Sequence, residues 1–181
     1  MKHKMERIGG SLLLALIVAS GTVYVRPVKA VDNNLSFSGT LVSEPCDIDD
    51  NTSDVKVDFG TVVKKYLYLN TRTESQPFII NLINCDTSLS NQATITFKGT
   101  ESTALPGLMT VTGATGIAIG LEQQDGSPLK FNMPSSAMTL ADGTNTFTFK
   151  GYVEGEPDAI KNETITTGAF TATATFEIAY E

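Results

Sequence analysis

Phe170, Ala172, Ala174, Phe176, Ile178 and Tyr180 alternate with Thr171, Thr173, Thr175, Glu177 and Ala179, and the sequence then stops at Glu181. Period-two alternation of this length predicts a β-strand with one apolar face. An apolar strand with an open edge needs a neighbour, because unpaired edges invite aggregation. No further strand follows it in the sequence. A second alternating run stands near the front, with Asn33, Leu35, Phe37, Gly39 and Leu41 on one face and Asn34, Ser36, Ser38 and Thr40 on the other. That pattern suits strand addition into a hydrophobic groove, where main-chain hydrogen bonds supply affinity and alternate side chains fill pockets. Gly39 allows close backbone approach at one point. The same pattern equally describes the first strand of the chain's own sheet, and periodicity leaves both readings open.

Between these runs the pattern is all β. Strands are expected over Leu35–Val42, Val55–Phe59, Phe78–Ile83, Ala93–Phe97, Gly116–Gln123, Thr144–Val153 and Phe170–Tyr180, which are rich in Thr, Val, Ile and Phe. Asp125-Gly126 and Asp142-Gly143 are the best candidates for hairpins or tight turns, and Pro106-Gly107 and Glu156-Pro157 mark further turns. Asn70–Gln76 reads as a polar loop, and no long amphipathic helix is expected. Lys64-Lys65-Tyr66 and Tyr68 read as a polar strand edge with snorkelling lysines. Short strands with regular turn signals favour one β-sandwich domain.

The front of the chain changes the charge picture. Lys2, Lys4 and Arg7 precede an apolar run, Leu12–Val18, and Val28-Lys29-Ala30 offers a small-residue cleavage site. Residues 1–30 are therefore expected to be a secretory signal, although Arg26 and Lys29 also admit cleavage nearer Ser20-Gly21. Their removal takes five of the 13 basic and one of the 20 acidic residues, leaving a net charge near −11. A balance this acidic excludes nucleic acid and anionic membrane surfaces as partners, since both need clustered Lys and Arg. The single histidine, His3, leaves with the signal, so triad chemistry has no usual base.

Cys46 and Cys85 form an even pair in an exported chain, which reads as one disulfide. Closing a loop of about 40 residues contributes about 4 kcal/mol in the chain-entropy model. A metal reading lacks any further Cys or His. Asp47, Asp49, Asp50 and Asp54 lack the glycine and closing Glu of a calcium loop and read as solvated. Gly113-Ala114-Thr115-Gly116 lacks the Lys of a phosphate loop and reads as a turn. The glycosylation patterns at Asn34, Asn51 and Asn162 are taken as chance matches. No cofactor, metal or enzymatic activity is expected.

The paired cysteines, the Gly-bearing leader and the penultimate Tyr180 resemble the subunits of chaperone–usher pili. Thr96-Phe97-Lys98-Gly99-Thr100-Glu101, Ala104-Leu105-Pro106-Gly107, Val111-Thr112-Gly113 and Ala172–Ile178 carry the resemblance further, towards the minor tip and adaptor pilins of P-type pili. It covers residues 33–181. The resemblance implies an incomplete immunoglobulin-like sandwich that lacks its last strand and is completed by a donor strand from another chain. Residues 31–44 would be the donor extension and 45–181 the pilin domain. Asn33, Leu35, Phe37, Gly39 and Leu41 would enter a neighbour. Phe170, Ala172, Ala174, Phe176, Ile178, Tyr180 and Glu181 would form the acceptor groove and the chaperone-recognition strand. The partners it implies are a periplasmic chaperone, an outer-membrane usher and neighbouring subunits of a hetero-polymer, in an extracellular pilus reached through the periplasm. Asn33 departs from the apolar residue often found at the outermost donor position.

A strand filling such a groove buries several hundred Å² of apolar surface, on the order of 10 kcal/mol before ordering costs. The readings that compete with an adaptor-like subunit are a fibre or terminating subunit of the same family and a self-complete secreted sandwich that binds glycans.

Overall fold

The computed structural model describes residues 37–39, 41 and 43–181. The chain divides into two units, Met1–Thr40 and Leu41–Glu181. In the first, Phe37, Ser38 and Gly39 carry no regular secondary structure and Phe37 is exposed. The signal segment, Asn33 and Leu35 lie outside the described residues, so the strand expected over Leu35–Val42 is described only in part.

The second unit runs β1 (Asp47–Ile48), a 3-10 turn (Asp50–Thr52), α1 (Lys64–Asn70), β2 (Gln76–Cys85), β3 (Gln92–Lys98), β4 (Met109–Thr110), β5 (Ile117–Gln123), β6 (Pro128–Leu129), β7 (Met138–Thr139), β8 (Gly143–Gly155), α2 (Pro157–Lys161) and β9 (Thr175–Tyr180). One sheet has the order β1-β2-β8-β5-β4, with β6 added to β5; the other has the order β7-β3-β9. Every ladder is antiparallel.

Alternation sets what each strand buries. Phe78, Ile80 and Leu82 of β2 point inward and meet Ala93, Ile95 and Phe97 of β3, with Leu121 and Phe149 completing the core between the sheets. Phe97 is its aromatic hub, with ring centroids 5.8 Å from Phe78, 5.2 Å from Phe149 and 6.2 Å from Phe176. Such offset and edge-on contacts add to simple area burial. Cys46 and Cys85 are joined and buried, tying the start of this unit to the end of β2.

Several local expectations are corrected. Lys64–Asn70 is a helix rather than a strand edge: the Val63 carbonyl accepts from the Tyr66 and Leu67 amides, and Leu67 is buried. Glu156-Pro157 starts α2 rather than a turn, because proline suits the first helical position. Val55–Phe59 alternates half-buried and exposed residues as a strand would, yet it pairs with nothing among the described residues. β9 begins at Thr175, so Phe170–Ala174 lies outside the ladder apart from a bridge between Thr171 and Thr112. Asp125-Gly126 does form the turn joining β5 to β6, with the Gly126 amide donating to the Gln123 carbonyl.

Candidate functional site

The two stretches without ladder partners face each other. Between Val55, Val57 and Phe59 on one side and Phe170, Ala172, Ala174 and Phe176 on the other runs a groove of about 720 Å³. Its floor is the sandwich core itself, including Phe78, Ile80, Phe97 and Leu121. The wall residues on both sides are only half-buried, although they pack against the core, while their sequence neighbours Lys56, Asp58, Thr171, Thr173 and Thr175 are exposed. The groove is an elongated apolar slot open to solvent.

The backbone along its walls is equally unfinished. The Glu181 amide donates to the Gln92 carbonyl, and Thr171 and Thr112 exchange both backbone bonds. The polar groups of odd-numbered residues in this strand therefore point towards β3 and Thr112. Those of Ala172, Ala174, Phe176, Ile178 and Tyr180 point the other way, along a free edge. On the opposite wall, none of the backbone groups from Asp54 to Phe59 takes part in a backbone hydrogen bond among the described residues. Unpaired backbone groups beside an apolar floor are what an added strand satisfies.

At one end the rings of Phe59 and Phe170, from opposite walls, stack with centroids 6.3 Å apart. At the other end the Tyr180 pKa is raised, first by burial and then by the nearby charges of Glu44 and Asp47. The Ser90 hydroxyl donates to the Glu181 carbonyl there.

Of the residues expected to form the acceptor wall, Phe170, Ala172, Ala174 and Phe176 line the slot. Ile178 and Tyr180 continue the same face and pack half-buried on the core. Of the leader residues, Phe37 and Leu41 are almost fully exposed, and a Cβ placed on Gly39 meets nothing within 4 Å. The opposite wall was not anticipated as part of a site, although Val55, Val57 and Phe59 carry the same alternation. The acidic residues read as a solvated loop include one with a local duty. Asp49 caps the 3-10 turn through the Asn51 amide, and this bond holds its carboxyl below the usual carboxylate range. Among the described residues no three Asp, Glu, His or Cys side chains gather as a metal would require.

Comparison with known proteins places this groove in context. The family model described as "Fimbrial protein" matches residues 35–181. The chain is 31% identical to the Fimbria A protein of Serratia marcescens, over 94% of this chain and 97% of that protein. It is 32% identical to the Fimbrial adapter PapK of Escherichia coli, over 97% of this chain and 99% of that protein. Among solved structures it resembles a chain of a chaperone–usher pilus whose structure reveals the basis of rod uncoiling. The TM-score there is 0.67 at 25% identity, over 87% of this chain and 100% of that chain.

Proposed function

Because the chain belongs to the fimbrial protein family, the exported structural subunits that assemble into extracellular chaperone–usher pili, we propose that its groove accepts a strand from another chain and that its leader, residues 31–44, donates a strand to a neighbour. The observation that carries this reading is the apolar slot flanked by two unpaired backbone edges. A strand laid there pairs with both walls and covers the floor, completing an immunoglobulin-like sandwich. A chaperone strand fills the slot until assembly, and at the outer-membrane usher a neighbour's leader replaces it. Tyr180 and Glu181 lie at the chaperone-facing end. A head-to-tail contact of this kind does not close on itself and so extends a filament.

A subunit with both a slot and a leader sits inside a fibre and joins two others. The likeness to the fimbrial adapter PapK supports an adaptor-like position at or near the tip of a hetero-polymer. Residues 1–30 serve as the export signal, and 45–181 are the assembling domain.

Amide exchange tests the proposal. Residues 55–59 and 172–176 should exchange quickly in the chain alone and become protected in assembled fibres. Removing residues 31–43 should leave a chaperone-bound, folded subunit that no longer donates. If the truncated chain stays unfolded with the chaperone present, the leader belongs to its own core and the reading fails.

A further inference from the structure

The two ends of the domain differ in charge. At the Tyr180 end Cys85 pairs with Gly143, the Asp86 amide donates to the Pro45 carbonyl and the Glu181 amide to the Gln92 carbonyl. The stretches gathered there, residues 43–50, 84–92, 139–145 and 179–181, expose Glu44, Asp47, Asp50, Asp86, Asp142 and Glu181 and contain no Lys or Arg. Ile48 and Leu89 are exposed among them. α1 stands at the opposite end, where its Leu67 packs with Val153, Ala159 and Ile165 in a second apolar cluster that Phe59 and Phe170 join. We infer that the outer face of α1 docks the acidic end of a second copy of this chain, seated as the neighbour that donates its leader. The inference rests on the strand-acceptor reading above and adds to it a contact between the bodies of two subunits.

α1 leaves an apolar face uncovered. Val63, Tyr66 and Leu69 recur at every third position, and Val63 and Leu69 are 57% and 74% exposed. With Phe59 they border a surface depression of about 560 Å³, along which Glu74 is the one acidic side chain. Lys64 and Lys65 head the same helix and form the one Lys-Lys pair in the sequence. Neither has a carboxylate within 4.0 Å among the described residues. Their place costs the helix something, because positive charges in a first turn oppose its dipole and no acidic residue offsets them there. Single apolar residues on a surface are ordinary, whereas an apolar depression rimmed by unpaired charges marks a contact site.

Head-to-tail geometry selects the occupant. Pro45 is bonded to Asp86, and the charge of Glu44 reaches the Tyr180 hydroxyl, so the chain's own leader departs at the Tyr180 end. A donor body at that end would set its Glu44 and Asp47 against those of the recipient, like charge against like. At the Phe59–Phe170 end it meets lysines instead. Glu44 follows the donating segment directly, so a leader lying through the slot brings the donor's residues 44–50 out beside Phe59. Phe59 lines both the slot and the depression at α1, which makes the two surfaces continuous. There Glu44 and Asp50 of the donor approach Lys64 and Lys65, and Ile48 covers part of the apolar face. The charges set orientation and rate, and the apolar contact excludes water.

Cross-linking and charge reversal in full-length chains test the contact. Two differently tagged chains are exported together, one with Leu69 replaced by a photo-reactive phenylalanine, and the fibres are irradiated. A link from position 69 to residues 44–50 or 84–92 of the copy with the other tag is expected. No link, or a link to another part of the chain, to a different subunit or to the chaperone, overturns the inference. Lys64→Glu with Lys65→Glu should slow the joining of full-length chains about tenfold at low salt, an effect that shrinks as salt screens the charges. Glutamates suit a first helical turn, so loss of fold does not explain that result. Glu44→Lys with Asp50→Lys in the same chain should restore the rate, and binding of a peptide of residues 31–43 should stay unchanged by Lys64→Glu with Lys65→Glu. No slowing, or slowing without restoration, overturns the inference. If it falls while residues 172–176 are protected in fibres, the strand-acceptor reading stands; if those residues are unprotected as well, both fall.

Discussion

The Arg72 guanidinium carbon lies 4.1 Å from the centroid of the Tyr152 ring while its Nη1 reaches a Glu122 carboxylate oxygen at 2.7 Å. The second Glu122 oxygen accepts from the Ser75 hydroxyl at 2.7 Å. Glu122 is buried on the outer face of β5, and this cluster is what makes a carboxylate tolerable there. It also pins the loop before β2 across the middle of the larger sheet, since Arg72 bridges Glu154 of β8.

Replacing Arg72 with methionine should leave the Glu122 carboxylate without its cation. The arginine is partly exposed, so the loss should be about 2 kcal/mol, less than for a fully buried pair. Denaturant unfolding of the protein with a leader peptide in its groove measures it. A change within error would mean that Ser75 and water suffice.

Acid should weaken the fold through the same group. Burial works against the Glu122 charge, but the Ser75 hydroxyl and Arg72 outweigh it and hold the carboxyl below its ordinary value. The unfolded chain therefore takes up the proton first as pH falls. The contribution is complete above the ordinary carboxylate pKa of about 4.3 and is lost as pH drops through the lower folded value. Melting temperatures between neutral and strongly acidic pH should show this fall, and Glu122→Gln should flatten it. An unchanged profile in that variant would assign the acid sensitivity to other carboxylates.

Gly120 supports Tyr152 directly, because a Cβ at Gly120 would lie 2.2 Å from the ring. Gly120→Ala must displace the ring from beneath Arg72 and should cost about 1–3 kcal/mol. Combined with Tyr152→Ala, the same substitution should add little, since its clash is gone. Full additivity in that double-mutant cycle would rule out the ring as the cause.

Phe97 links the core to the groove, touching both Phe149 and Phe176. Phe97→Ala should destabilise the protein by about 3–5 kcal/mol. It should also weaken binding of a leader peptide, because the floor beneath Phe176 collapses. Titration with a fluorescent peptide of residues 31–43 reads the second effect. Unchanged affinity would place the floor's contribution elsewhere.

The strands facing the core were legible because burial imposes period two: Phe78, Ile80, Leu82 and Ala93, Ile95, Phe97 announce themselves. The helix at Lys64–Asn70 was not, since Leu67 is its one fully buried residue and a single anchor produces no period. β1, β4, β6 and β7 span two residues each and leave no pattern to read. Val55–Phe59 shows the opposite limit. Its alternation is genuine, but strand pairing depends on a partner, and among the described residues none pairs with it. One wall of the groove was visible in Phe170–Tyr180, whereas the facing wall became recognisable only once both were seen over the same floor.

The two free backbone edges also decide how the proposed joint would respond to force. A strand lying lengthwise in the slot is held along both sides, so a pull along the fibre loads every rung of both ladders at once. Peeling one rung at a time would need a sideways pull, and the stacked Phe59–Phe170 pair lies at one end of the slot. A joint of the proposed kind would yield by shearing, with a lifetime under tension set by the rate of concerted rupture rather than by equilibrium affinity.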